Sequence, residues 1–156
     1  MKLSTKGRYG LKAMVDLATE YDSGEYVSVS ALAISQSVSD AYLEKQITSL
    51  KKAGLVEVAR GAFGGYRLSR PPQDINVGEI LRALEGTTSI LDCVDGSVMK
   101  ACDNACSCSA RPLWLKLQRK IDEVLNTTTL QDMAEDYLVQ KDFINKRKAE
   151  ENESLS

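Results

Sequence analysis

Residues 39–72 read SDAYLEKQITSLKKAGLVEVARGAFGGYRLSRPP, and their apolar periodicity changes halfway. Leu43, Ile47 and Leu50 recur at the spacing that lines one face of a helix. Ser39 is a good N-cap, and Asp40 suits the positive end of the helix dipole. Val38 and Leu43 stand at the N′ and N4 positions of a hydrophobic staple, and Gly54 sits where a helix closes in the left-handed conformation. Beyond Gly54 the pattern becomes that of strands. Leu55, Val56 and Val58 predict one strand, Tyr66 and Leu68 a second, and the glycine-rich stretch Arg60–Gly65 the turn between them. Pro71-Pro72 ends the strand pairing.

Upstream, VSVSALAISQS (27–37) predicts a short helix starting after Ser28 or Ser30, buried through Leu32 and Ile34 and broken at Ser35–Ser37. Before it, GRYGLKAMVDLATEY (7–21) puts Leu11, Met14, Leu17, Ala18 and Tyr21 on one helical face. A helix, a short helix, a three-residue break and a capped helix form a helix-turn-helix, and the appended hairpin makes it a winged helix. Downstream, Val77, Ile80, Leu81 and Leu84 predict a further helix ending at Gly86. Pro112 at the first position then opens a long helix, PLWLKLQRKIDEVLN (112–126), with Leu113, Leu117, Ile121, Val124 and Leu125 as its stripe. That stripe suits either packing on the front domain or a dimer seam, and the seam is the preferred reading because the front helices suffice to close their own core. Thr127–Thr129 cap a last helix, 130–140, and the charged tail from Lys141 is expected to fray.

The expected fold is therefore mostly α with a small β-hairpin: a winged helix-turn-helix with a long C-terminal dimerisation helix. The divisions are a DNA-binding domain at 1–90, a cysteine-rich loop at 91–111, a dimerisation helix and following helix at 112–140, and a flexible tail at 141–156.

The net charge of −2 conceals an asymmetry. Residues 1–70 carry ten Lys/Arg against seven Asp/Glu, and residues 71–156 ten against fifteen, so the basic front would face phosphate. The start MKLSTKGRYG has no apolar secretory core, and no apolar run approaches a membrane span. The expected location is the cytoplasm, where clustered cysteines read as ligands or redox thiols. No histidine acid–base pair, nucleophile constellation or phosphate-binding glycine loop argues for an enzyme.

In a winged helix the second helix of the turn motif enters the major groove and the wing reaches the neighbouring backbone or minor groove. The outward positions are Ala41, Tyr42, Glu44, Lys45 and Ser49. Lys45 suits a guanine edge or a phosphate, and Glu44 can accept from cytosine. Arg60 and Arg67 flank wing glycines that would let the backbone approach phosphate, and Lys2, Lys6 and Arg8 add charge. The expected ligand is double-stranded promoter DNA.

Four cysteines, Cys93, Cys102, Cys106 and Cys108, fall within sixteen residues and none elsewhere. Their spacing C-x8-C-x3-C-x-C suits an iron–sulfur cluster better than zinc, which favours paired knuckles; free redox thiols remain the other reading.

MKLSTKGRYGLKAM, YLEKQITSLKKAGLVEVARGAFGGYRLSRP and the later LEG resemble the IscR-type winged-helix regulators, the family that includes IscR, NsrR and CymR. The likeness runs from Met1 to about Leu130. It implies a homodimer whose long helix crosses to the partner and which binds imperfect palindromes at promoters. By position it implies recognition-helix contacts at Ala41, Tyr42, Glu44 and Lys45, with Glu44 choosing between operator types, and wing contacts at Arg60 and Gly61. It also implies a cluster held by Cys93, Cys102 and Cys108, 2Fe–2S in preference to 4Fe–4S. The family's histidine ligand is replaced by Arg111, leaving the fourth ligand among Cys106, which is preferred, Asp103, a partner group or an exogenous molecule. The expected function is a regulator, a repressor by preference, that senses iron–sulfur, redox or nitric oxide status. The alternative is a cluster-free, CymR-like repressor of cysteine and sulfur metabolism, controlled by thiol oxidation or a protein partner.

Overall fold

Small polar residues start each helix of the front half. Ser4 Oγ accepts from Gly7 N ahead of α1 (Thr5–Thr19), and Ser28 accepts from Ala31 N ahead of α2 (Val29–Gln36). Ser39 accepts from Tyr42 N ahead of α3 (Asp40–Lys52), and Asn76 from Glu79 N ahead of α4 (Val77–Glu85). Each satisfies an N–H that the helix itself cannot pair. The computed structural model describes residues 3–96, 102–103 and 107–154.

The break between α2 and α3 turns on Ser37, which takes a left-handed conformation (φ 55°, ψ 42°) while its N–H returns to the end of α2. Leu32 and Ala33 are buried, but Ile34 is 78% exposed. Ile34 stands two residues from Leu32, about 200° around the helix, so it cannot share the buried face. Helix α3 buries Leu43, Ile47 and Leu50 completely, together with Gln46, whose Nε2 donates to the Tyr42 carbonyl at 3.1 Å. Gly54 follows with φ 75°.

Strands β1 (Val56–Ala59) and β2 (Gly65–Leu68) pair antiparallel with Val56 opposite Leu68 and Ala59 opposite Gly65. On the other side of β2, Val27 and Tyr66 exchange two N–H···O bonds of 2.8 Å, tying the wing to the segment that enters α2.

The core joins α1, α2, α3, the hairpin base and α4 through Met14, Leu17, Leu32, Leu43, Leu50, Ile80 and Leu84. It also takes in Leu130 and Ala134 from the far end of the chain. The front helices therefore do not close the core alone: α6 (Leu130–Ser154) lies along α1 and completes it. Its approach is fixed by two backbone bonds, Val77 N to Thr128 O (3.0 Å) and Leu130 N to Ile75 O (2.8 Å). Thr129 and Asp132 cap it reciprocally: Thr129 Oγ1 accepts from Asp132 N at 3.1 Å, and Asp132 accepts from Thr129 N at 2.8 Å. Helix α6 continues through the stretch expected to fray, because residues 141–154 contain no Gly or Pro and are rich in Lys, Arg and Glu.

Helix α5 (Arg111–Thr127) begins one residue earlier than expected, so Pro112 occupies its second position, where a missing N–H is equally harmless. Its inner face, with Gln118 buried and Trp114, Leu115, Ile121 and Leu125 half-buried, lies against the front domain. Its outer face carries Leu113, Leu117 and Val124, exposed at 52%, 42% and 61%. The stripe is thus divided, part packed on the front domain and part left facing solvent. No described helix is long and apolar enough to cross a membrane.

Candidate DNA-recognition face and cysteine segment

The outward face of α3 presents Ala41, Glu44, Lys45 and Thr48 to solvent, while Tyr42 and Ser49 are half-buried. Thr48 was not among the expected contacts; its exposure follows from standing one turn beyond Glu44, whose carbonyl it caps at 2.8 Å. Tyr42 is held edge-on to Tyr9 of α1, with ring centroids 5.9 Å apart and planes at 88°. Lys12 Nζ lies 5.2 Å from the Tyr9 ring centre. This stack brings a cation of α1 beside the recognition helix, and Lys12 is the residue sequence reasoning passed over. Lys6 and Arg8 are exposed on the first turns of α1, Arg8 donating weakly to Thr5 Oγ1 at 3.4 Å. At the start of α3, Ser30 Oγ donates to Asp40 Oδ2 at 2.5 Å, which locks the two helices of the turn motif together.

The two wing arginines differ. Arg67 stands opposite Glu57 and donates to its Oε2 through Nε and Nη2 (3.1 and 3.0 Å), with its guanidinium carbon 4.6 Å from the Tyr26 ring centre. It braces the hairpin. Arg60 is exposed and makes no hydrogen bond or ion pair among the described residues. Glycines 64 and 65 prove to be packing requirements: a Cβ at Gly64 would strike the Ala59 carbonyl, and one at Gly65 the Val27 carbonyl. Gly61, in the left-handed region at φ 107° with open space around it, serves the turn. Tyr66 holds its phenolic proton above the usual range, first because of burial and second because of the Glu44 charge. Tyr66 of the wing thus feels the carboxylate of Glu44 on α3.

Of the expected thiols, Cys93 lies half-buried in a 3-10 turn (Asp92–Val94), and Cys102 and Cys108 are exposed, all three free. Cys106 lies outside the described residues, as does Lys2. The thiol-rich donor set suits a soft metal, but among the described residues no three His, Cys, Asp or Glu side chains converge on one point. Asp103 is exposed. Arg111, at the expected histidine position, is half-buried with its Nε buried and unpartnered.

The segment leading to Cys93 is clamped to α5. Gln118 accepts from Ile90 N at 2.8 Å and donates to Asp122 Oδ1 at 2.9 Å, with a longer contact of 3.5 Å to the Thr88 carbonyl. Thr87 Oγ1 donates to Asp95 at 2.6 Å across the turn. At the other end, Arg111 N donates to the Cys108 carbonyl, so this cysteine abuts the helix start. Nothing in the spacing of residue 118 revealed the clamp; a glutamine on the inner face of an apolar stripe was the available signal.

A helix-turn-helix whose second helix is solvent-facing, braced by a hairpin wing with a free arginine, defines a DNA-binding transcriptional regulator. The chain belongs to the Rrf2 family, described as an iron-dependent transcriptional regulator, whose model matches residues 3–136. The HTH-type transcriptional regulator CymR of Bacillus subtilis is 39% identical over 134 residues, 86% of this chain and 90% of its own length. IscR of Cereibacter sphaeroides is 40% identical over 134 residues, 85% and 86% of the two chains. Among solved structures, CymR of B. subtilis, the global cysteine regulator, has a TM-score of 0.72 at 38% identity, covering 86% of this chain and 97% of its own. IscR of T. potens has a TM-score of 0.69 at 42% identity, covering 88% of each.

Proposed function

We propose that the protein is a cytoplasmic, homodimeric repressor of promoters carrying imperfect palindromes, and that its cysteine segment senses iron–sulfur, redox or nitric oxide status. The observation that carries this reading is the Gln118 clamp, which fastens the backbone just ahead of Cys93 to α5. Any change in how the cysteine segment is ordered thereby bears on the helix whose outer stripe seats a second copy. The angle between the two winged domains follows that helix, and the angle fixes which half-site spacing the dimer can span.

Cys93, Cys102 and Cys108, with Cys106 as fourth thiol, would hold an iron–sulfur cluster, 2Fe–2S in preference to 4Fe–4S, which supplies a group that is readily oxidised or lost. On the DNA side, Lys45 and Glu44 address base edges while Lys6, Arg8 and Arg60 address phosphates. Ala41, Tyr42 and Gly61 shape the approach, and Arg67 holds the wing at its working angle. The scattered, exposed thiols of Cys102 and Cys108 support a second reading, in which thiol oxidation or a partner protein replaces the cluster, as proposed for CymR-like members.

Anaerobically purified protein is expected to be brown, with iron and acid-labile sulfide in equal amounts and visible absorbance lost in Cys93→Ala, Cys102→Ala or Cys108→Ala. Colourless protein, with or without zinc, would remove the cluster reading. Operator affinity that then changed on mild thiol oxidation would establish the second.

A further inference from the structure

Phe63 is 96% exposed at the tip of the wing. The turn there is closed by the Gly64 N–H donating to the Gly61 carbonyl at 3.0 Å, which leaves Ala62 and Phe63 as its two central residues. That geometry asks for no aromatic ring at position 63; small polar residues serve a turn at least as well. Nor does the ring help the fold, since none of the core or its half-buried fringe includes it. An unpacked phenylalanine adds nothing to the fold and is a source of binding energy for a protein that meets a partner.

The surroundings indicate which partner. Three residues before Phe63 stands Arg60, exposed and without an ion-pair partner among the described residues. The hairpin is rigid beneath it, held by the Arg67–Glu57 pair, by the Val27–Tyr66 bridge and by the steric fit of Gly64 and Gly65. The same hairpin places Tyr66 within the field of Glu44 on the recognition helix. A polyanion is the surface that would engage a free arginine and an apolar ring on one stiff tip beside a groove-reading helix. In a winged helix on duplex DNA, the wing reaches the backbone or minor groove beside the major groove that the recognition helix enters.

We infer that Phe63 is a minor-groove wedge: on DNA its ring enters the minor groove flanking the half-site and partly unstacks one base step, while Arg60 neutralises the adjacent phosphate. A wedge favours the steps that open most easily, TA and CA/TG, so Phe63 would set sequence preference at positions α3 does not touch. The inference rests on the DNA-binding reading above and adds a residue and a groove to it.

The full-length protein, used to select duplexes from a random-sequence library, supplies the probe. On the selected duplex, Phe63→Ala is expected to bind about tenfold more weakly and to bend the DNA less in a circular-permutation gel assay. Its salt dependence should keep the wild-type slope, because an apolar ring releases no counterion; Phe63→Trp should retain affinity and bend. Duplexes reselected with Phe63→Ala should lose any enrichment of flexible steps flanking the half-sites. Wild-type affinity, bend and flanking preference in Phe63→Ala would overturn the wedge while leaving DNA binding intact. So would an affinity loss traced to altered oligomeric state, as for a ring that contacts protein. Failure of the wild-type chain to enrich any duplex would instead defeat the DNA-binding reading, and the wedge with it.

Discussion

Arg60 and Arg67 are separated by one turn of a hairpin, yet their surroundings give them different work. Arg67 shares Glu57 and the Tyr26 ring, contacts that at this exposure contribute about 1 kcal/mol together to the wing. Arg60 has no such partners among the described residues and is free for phosphate. Arg60→Ala should therefore leave Tm unchanged and lower the slope of log affinity against log salt by about one, with similar weakening on all duplexes. Arg67→Ala should lower stability by about 1 kcal/mol in denaturant titration and affect DNA only through the wing. A slope unchanged in Arg60→Ala would remove it from the phosphate contacts. Gly65 is the stricter position. Its φ of 155° is one that L side chains rarely adopt, and any Cβ would in addition collide with the Val27 carbonyl. Gly65→Ala is expected to destabilise by about 2 kcal/mol or more and to expose the Val27 and Tyr66 amides to hydrogen exchange. That steric reason was invisible in the sequence, where a glycine-rich turn between arginines equally suggested close approach to phosphate.

Elements were legible where their ends are chemically marked. Ser39, Asp40, Val38 and Gly54 announce both boundaries of α3, and a hairpin follows from alternation around glycines, so the winged unit could be read directly. The end of α6 was misplaced because amphipathicity was taken as the criterion for helix, and beyond residue 140 the helix persists on propensity without a stripe. Its start, by contrast, is set by Thr129 and Asp132. The Asp132 carboxyl is held below its ordinary value near 3.8, first by the Thr129 backbone N–H and then by the Thr129 hydroxyl, with slight burial opposing. A depressed folded value means that the ionised form stabilises. The contribution is complete above the ordinary value and disappears as pH falls through the folded one. Asp132→Asn should thus lower Tm at pH 7, with the difference from wild type shrinking as pH falls below the ordinary carboxylate value. A constant difference across that range would show that the charge is not what matters. The Gln118 clamp is an element-level device too, joining a loop to a helix through one side chain. Gln118→Ala would leave a buried amide and carbonyl unpaired, costing about 2–3 kcal/mol, and should speed exchange of the Ile90 amide.

At the scale of the whole molecule, chain order and spatial order disagree. Linear reading made the winged unit self-sufficient and assigned the long helix 112–126 to dimerisation, because periodicity shows that a helix has an apolar face and says nothing of what covers it. The folded chain sends α6 back to α1, so Leu130 and Ala134 are front-domain core, while the outer stripe of α5 faces solvent. The cysteine spacing suggests a ligand-bearing loop but gives no sign of its fastening to α5, since Gln118 touches backbone 28 residues away. The division of α5 yields a test that separates its two faces. Leu117 and Val124 are 42% and 61% exposed, so replacing both by lysine should cost the single chain about 1 kcal/mol or less of its own packing. In a dimer seam the same pair would bury charge against an apolar partner stripe. Sedimentation of Leu117→Lys/Val124→Lys is expected to give a folded monomer with wild-type helical circular dichroism. Because a monomer covers one half-site and loses the coupling of two linked heads, its affinity for a full palindrome should fall by 10²-fold or more while that for a half-site is kept. A dimer that survives the double substitution would show that the outer stripe of α5 is not the seam. Any coupling of the proposed kind between the cysteine segment and DNA would then have to run through the inner face of α5, by way of the Gln118 clamp.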